Sequence, residues 1–325
     1  MIRSCRSGAD HDQLTGIGNG SGELITVGSD RVHLHRAGGP GARPVVLIHG
    51  FGGSLHWFER MAPPLAAAGY QPIRIDLRGH GHTGVPARDR SATAGELVAD
   101  LGGPAQGRMI ADLLATLGLE DVLAVGHSFG ADVVLAAAEQ SARVTAVALI
   151  DQAPDYSYAT FPGGNAVLAD PFLGPLLHRL AIPAFVRIGL RYAVAPGFDL
   201  RTAFDVADQA VADYRGMNAA MARAVVTERR RRLAADPLDA QLRRLGLPAL
   251  VVHGTEDRFY DWRPTAERYR AAGARVEIIE GAGHSPNVEC PERVAELLDA
   301  FGSADLDAVS RSRATTGARN RRRRP

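Results

Sequence analysis

Gly126-His127-Ser128-Phe129-Gly130 stands where an apolar, β-branched run (DVLAV) gives way to the helix-forming stretch ADVVLAAAEQ. A strand that turns at once into a helix crowds the residues two before and two after the turning position. Both must be small, and both are glycine. The serine is left alone at a helix N-terminus, the setting of a nucleophile. A hydroxyl is a poor nucleophile at neutral pH and needs a base that an acid orients. After the run Ala249 to Val252 comes His253-Gly254-Thr255-Glu256-Asp257, and after Val276 to Ile279 comes Glu280-Gly281-Ala282-Gly283-His284. Both segments follow strand ends, where open parallel sheets build their sites, in the chain order Ser, Asp, His. Ser128 is the expected nucleophile, Asp257 the orienting acid and His284 the base. An attacked carbonyl also needs two backbone N–H groups aimed at its developing anion. Phe129, directly after the serine, supplies one. Phe51, in the turn His49-Gly50-Phe51-Gly52-Gly53-Ser54 after the run Val45 to Ile48, supplies the other. That turn has neither the lysine nor the glycine spacing of a phosphate cradle.

These loops need a sheet to hold them. Short apolar runs at 45–48, 72–77, 122–125, 144–150, 249–252 and 276–279 alternate with helical stretches. The alternation predicts an α/β fold, a mostly parallel central sheet with helices on both faces. Ile110, Leu113, Leu114 and Leu117 form one apolar helix stripe; Val294, Leu297, Leu298 and Phe301 form another. Glu23 to Val27 and Arg31 to Arg36 read as a leading antiparallel hairpin, with Val32 and Leu34 inward and His33 and His35 outward. Between 154 and 244 the strand rhythm stops, and helical sequence broken by prolines follows the strand ending near Ile150. This reads as a helical cap inserted into a core of 21–153 and 245–302, with 1–20 a disordered leader and 303–325 a disordered tail. Phe172, Leu173, Leu176, Leu177, Ile182, Phe185, Val186, Ile188 and Leu190 either line a tunnel above Ser128 or form the cap's own core. Phe172 and Leu176 are the cap's candidate pocket residues. Trp57 and His127 are candidate pocket walls, packing being the alternative for each.

Composition excludes several classes. The chain has 325 residues, 46% of them apolar, enough for a sizeable core. All 37 basic residues are arginine, so Schiff-base lysine chemistry is excluded. Seven arginines and no acid fall in 310–325, leaving 30 against 36 acids elsewhere, a net of about −6. Such a tail sticks to polyanions at low salt without specificity, and no folded basic face marks a nucleic-acid module. The eleven histidines include the pair His33 and His35, but no acid or cysteine cluster accompanies it, so no metal is expected. No cofactor is expected either. Cys5 and Cys290 cannot form a multi-bridge framework, Cys5 lies in a polar, Gly-rich leader not expected to be held near anything, and the pair points to a reducing compartment. With no apolar window long enough to span a bilayer and no signal-like leader, a cytoplasmic protein is expected.

Together, HGFGGS at 49–54, DLRGHGHT at 76–83, GHSFG at 126–130, HGTED at 253–257 and GAGHSPNVECPE at 281–292 resemble an α/β-hydrolase-fold serine hydrolase with an inserted helical cap. The resemblance covers about residues 22 to 302. It implies the same roles for Ser128, Asp257, His284, Phe51 and Phe129. It also raises Asp151 as an alternative acid, since some relatives place it after the strand that follows the nucleophile helix. Thr83 stands where a serine is usual. The resemblance spans esterases, lactonases, thioesterases, carbon–carbon bond hydrolases of ring-cleavage products, cofactor-free haloperoxidases, epoxide hydrolases and haloalkane dehalogenases; the last two use Asp at the elbow, which Ser128 disfavours. The expected reaction is hydrolysis of an ester or lactone of a small to medium apolar molecule. The alternatives are a carbon–carbon bond hydrolase, with Arg179, Arg187 or Arg191 taking a second carboxylate, a haloperoxidase, and a non-catalytic binding module.

Overall fold

A computed structural model describes residues 3–4, 22–39, 41–85, 93–161 and 165–303. Nine strands form one sheet: β1 (Arg3–Ser4), β2 (Glu23–Val27), β3 (Asp30–Arg36), β4 (Arg43–Ile48), β5 (Tyr70–Ile75), β6 (Val122–His127), β7 (Val144–Ile150), β8 (Ala249–Gly254) and β9 (Arg275–Glu280). Their order is β1-β9-β8-β7-β6-β4-β5-β3-β2, parallel except where β3 pairs with β2 and β5. After β4 the chain crosses to β5 on one side and returns to β6 on the other. The order therefore reverses between β4 and β6, where a crevice opens beyond the strand ends.

The central strands are buried on both faces, so their apolar runs are continuous but still sort by parity. Val46 and Ile48 of β4 join the apolar layer that contains Ile110, Leu113 and Leu114 of α3 (Gly103–Thr116), which follows α1 (Ala62–Ala67) and α2 (Ala94–Asp100). Val45 and Leu47 join the opposite layer, with Leu65 of α1 and, further along the chain, Val294, Leu297, Leu298 and Phe301. Each such buried side chain contributes roughly 1.5–3 kcal/mol of hydrophobic free energy. The helix after β6, α4 (Phe129–Gln140), is wrapped by the core from Phe129 to Ala137.

Between β7 and β8 lie α5 (Asn165–Leu168), α6 (Leu173–Arg179), α7 (Pro183–Leu190), α8 (Gln209–Gly216), α9 (Ala220–Arg223), α10 (Arg229–Ala235) and α11 (Leu238–Leu245). Leu238 and Leu242 of α11 pack into the main core. Buried Arg229 of α10 reaches Asp132 in the first turn of α4, 3.2 Å away, and donates to the Tyr156 hydroxyl. Arg232 engages the same carboxylate. The insertion is thus pinned to the helix that carries Ser128. After β8 come α12 (Trp262–Ala271), α13 (Pro286–Glu289) and α14 (Pro291–Phe301), the last burying its stripe as the spacing predicts.

Three expectations need correction. Arg3–Ser4 of the expected leader pairs in parallel with Ile279–Glu280 of β9. An edge strand is recruited by main-chain groups and needs no apolar period, so the sequence hid it. His33 is turned not to solvent but to Asp76, its Nδ1 2.7 Å from the carboxylate. Cys290 is disulfide-bonded rather than free, which removes the cysteine argument for a reducing compartment. Cys5, most of the leader and the arginine tail from 304 onward lie outside the described residues.

Candidate active site

The crevice between β4 and β6 receives four loops. Ser128 follows β6, and its N–H donates to the Ile150 carbonyl at 2.9 Å, prolonging the β6–β7 ladder up to the turn. Its φ of 51° and ψ of −116° are glycine-like, a conformation that costs on the order of 1–3 kcal/mol and persists because the surroundings over-determine it. A Cβ at Gly126 would lie 2.2 Å from the Gly130 carbonyl oxygen, and one at Gly130 2.2 Å from that of Ile48. Two bare backbones pressed together thus hold the serine up.

His284, on the loop after β9, places Nε2 3.0 Å from Ser128 Oγ. Its Nδ1 lies 2.9 Å from Asp257 Oδ2. Asp257, on the loop after β8, also accepts N–H bonds from Phe259 at 2.7 Å and Tyr260 at 3.3 Å. Burial alone would raise its carboxyl, but His284 and His253 beside it hold it well below the usual carboxylate range. The acid facing the imidazole is therefore ionised.

Asp151 takes a different place. Its Oδ1 accepts the Gly254 N–H at 3.0 Å and lies 3.5 Å from His253 Nε2, and no hydrogen bond joins it to His284. Burial, and then the charge of Asp257, push its carboxyl well above the usual range. Its environment favours the protonated form, whereas that of Asp257 favours the charged one. Asp151, His253 and Asp257 offer ligand atoms within 4.8 Å of one another. A cation there would compete with His284 for Asp257 Oδ2.

Facing Ser128 is the turn after β4. A Cβ on Gly50 would meet the serine's own Cβ at 3.0 Å. The N–H groups of Phe51 and Phe129 donate to no backbone carbonyl among the described residues. Phe129 opens α4, where the first N–H groups have no helical acceptor. His127 Nε2–H donates to the His284 carbonyl at 2.7 Å, and its ring stacks on Trp57 with centroids 5.9 Å apart. Burial, then the neighbouring His284, push His127 down to about 3, so it stays neutral. Trp57 Nε1–H donates to Asp213 of α8 at 3.2 Å.

Of the cap residues expected at the pocket, Phe172 is 85% exposed and Leu176 51%; both face solvent. The cap reaches the site through other side chains. A Cβ on Gly52 would meet the Tyr214 ring at 3.0 Å, and that ring lies 6.4 Å from Phe51 and 5.4 Å from His178. Phe259 stands edge-on to His284 at 4.8 Å. Glu289 accepts the N–H groups of Gly283, Ser285 and Ala195 at 2.9–3.1 Å, and Ser285 Oγ donates to Ala193 at 2.6 Å, so one carboxylate shapes the His284 loop and ties it to the insertion. None of these was legible: aromatic and acidic residues in loops carry no period, and Glu289 has only its place five residues after the histidine as a signal.

Residues 45–297 match the model of the alpha/beta hydrolase family. The chain belongs to that family. The sheet order, the strained serine and the loops at one edge are its architecture in this member. The chain is 38% identical over 110 residues to epoxide hydrolase 3 of Siraitia grosvenorii, covering 34% of this chain and 32% of that protein. It is 36% identical over 128 residues to epoxide hydrolase A of Mycobacterium tuberculosis, covering 39% and 37%. The matches thus span about a third of these relatives' own length. A putative aryl esterase from Burkholderia cenocepacia superposes with a TM-score of 0.70 at 22% identity, over 88% of this chain and 99% of that one, a likeness of fold.

Proposed function

We propose that this hydrolase-family member is a serine hydrolase that cleaves an ester or lactone of a small to medium apolar molecule through an acyl-enzyme. The observation that carries the reading is the unbroken line Ser128 Oγ, His284 Nε2, His284 Nδ1, Asp257 Oδ2, with contacts of 3.0 and 2.9 Å. His284 takes the hydroxyl proton on Nε2 as Ser128 Oγ adds to the carbonyl carbon, while ionised Asp257 stabilises the imidazolium. The new oxyanion is met by the Phe51 and Phe129 N–H groups. Collapse expels the alkoxide, which takes the proton from His284. Water then gives a proton to Nε2 as it adds to the acyl carbon, and collapse releases the acid as Ser128 Oγ takes that proton back from Nε2.

A serine at 128 favours acyl transfer over the alkyl-enzyme chemistry of an elbow aspartate, although the two relatives named above are epoxide hydrolases. For a carbon–carbon bond hydrolase, Arg187 is bound bidentately by Asp208, and Arg179 and Arg191 are exposed, Arg191 having no carboxylate partner among the described residues.

The test is intact mass after treatment with a fluorophosphonate, alongside turnover of a short-chain p-nitrophenyl ester. Wild type should gain one adduct and turn over the ester. Ser128→Ala should gain none, with kcat down by at least about a thousandfold. An adduct that persists on Ser128→Ala would sink the assignment.

A further inference from the structure

Thirteen large apolar side chains are conspicuously exposed among the described residues, and nine of them fall between 167 and 188: Val167, Phe172, Leu173, Leu176, Leu177, Leu180, Ile182, Phe185 and Ile188. Val167 is on α5; the other eight sit on α6, on α7 or at their ends, and the two helices are bent 108° to each other. No helix among the described residues is long and apolar enough to cross a membrane, and this bend suits two short helices lying on a surface. Monomeric proteins rarely leave so large an apolar patch bare without a partner.

The charge around the patch is one-sided. From 165 to 191 there are three arginines and one acid, Asp170, which is spent on the Phe172 and Leu173 N–H groups. Beside α7 opens a cavity of about 740 Å³ lined by Arg187, Arg191, Arg201 and Arg258 against Asp199 and Asp208. Asp208 neutralises Arg187 and Asp199 neutralises Arg201. Arg191 and Arg258 have no carboxylate partner among the described residues. Arg258 is fixed by donating to the carbonyls of Arg191 and Val194 and by lying 4.8 Å over the Tyr192 ring, and its buried Nε–H has no acceptor.

We propose that the apolar face of α6–α7 and the neighbouring arginine-lined cavity dock the protein on an anionic phospholipid bilayer, the helices entering the acyl boundary and the cavity taking a phosphate headgroup. The charge decides against a second copy of the chain: a symmetric pair would set two arginine-rich faces against each other, whereas an anionic surface neutralises them. The docked element is also the one tied to the base. Val194 and Ala195 line the cavity; Ala195 donates its N–H to Glu289, and the adjoining Ala193 carbonyl accepts from Ser285, next to His284. A docked cap would therefore present lipid-dissolved molecules beside the catalytic loop.

The test is flotation of the full chain with vesicles of mixed phosphatidylglycerol and phosphatidylcholine, and with phosphatidylcholine alone. Wild type should bind the anionic vesicles roughly tenfold or more tightly than the neutral ones. The double variant Phe172→Ser, Phe185→Ser should lose at least about tenfold of that binding while hydrolysing a dissolved ester at the wild-type rate, and Arg191→Glu should lose several-fold. Ser128→Ala should bind as wild type does, so the readout is independent of catalysis. Undiminished binding of the double variant would overturn the proposal and assign the affinity to the arginines of 311–324. A dimer in solution that the double variant converts to monomer, with no vesicle binding by wild type, would overturn it in favour of self-association.

Discussion

The nucleophile helix α4 and the hairpin α6–α7 are both apolar helical sequence, yet they meet opposite fates. In α4 every residue from Phe129 to Ala137 is buried, down to Asp132, whose charge is answered by Arg229. In α6 and α7 the buried residues are Gly174 and Val186, while Phe172, Phe185 and Leu180 stand in solvent. The lesson is that composition sets the tendency to leave water, but neighbours decide whether it is satisfied. A helix between parallel strands is covered by the sheet and by flanking helices; a helix in an insertion is covered only by what the insertion brings, or by something outside the chain.

The two carboxylates near His284 offer the largest effect by which the rigid side of that comparison can be broken. Asp257→Asn should lower kcat by about a hundred- to ten-thousandfold, because the imidazolium loses its charged partner. Asp151→Asn, at a carboxyl that accepts the Gly254 N–H and makes no bond to His284, should cost less than about tenfold. Steady-state rates on one ester check both, and equal losses would mean that the two acids share the role.

The pin between the regions comes next. Arg229→Met leaves Asp132 buried with Arg232 as its partner, and should destabilise the fold by about 3 kcal/mol in denaturant titration. A loss under about 1 kcal/mol would mean that the insertion docks without the ion pair.

Asp213 gives the contact a pH signature. Its carboxyl accepts from Trp57 and Gln209, and burial pushes it up to about 6 from an ordinary value near 3.8. A raised acid favours the fold when protonated, so its contribution is full below about pH 4 and lost as pH rises through 6, at most about 3 kcal/mol. Asp213→Asn is free of that loss. Its thermal midpoint relative to wild type should therefore rise between pH 4 and pH 7, and a pH-independent difference would contradict the buried-acid assignment. The smallest effect is expected at the exposed hairpin. Phe172→Ser should change stability by no more than about 0.5 kcal/mol, measured by the same denaturant titration.

The line of contacts from Ser128 through His284 to Asp257 was legible because its signals are local: paired glycines around Ser128, a strand before it and a helix after it, and an acid and a histidine at the ends of the next strands. The strands were legible for the same reason, since burial on both faces writes a continuous apolar run. The second acid was not settled by spacing. Asp151 and Asp257 both follow strands, and their separate hydrogen bonds, to Gly254 and to His284, sort them. The pocket assignment of Phe172 and Leu176 failed because an amphipathic pattern identifies an apolar face and not what it faces.

The sequence by itself determined the parallel sheet, the turn that lifts Ser128 and the order of its partners, because strand period, glycine sterics and short-range turn chemistry are properties of neighbouring residues. Only the tertiary structure decided that Asp257 rather than Asp151 bonds His284, with opposite shifts of the two carboxyls, that Tyr214 and Phe259 rather than Phe172 approach the site, and that the cap's apolar face is left bare. Charge state and burial depend on what the folded chain brings within a few ångströms, and such neighbours can be far apart in sequence, 156 residues from Ser128 to His284.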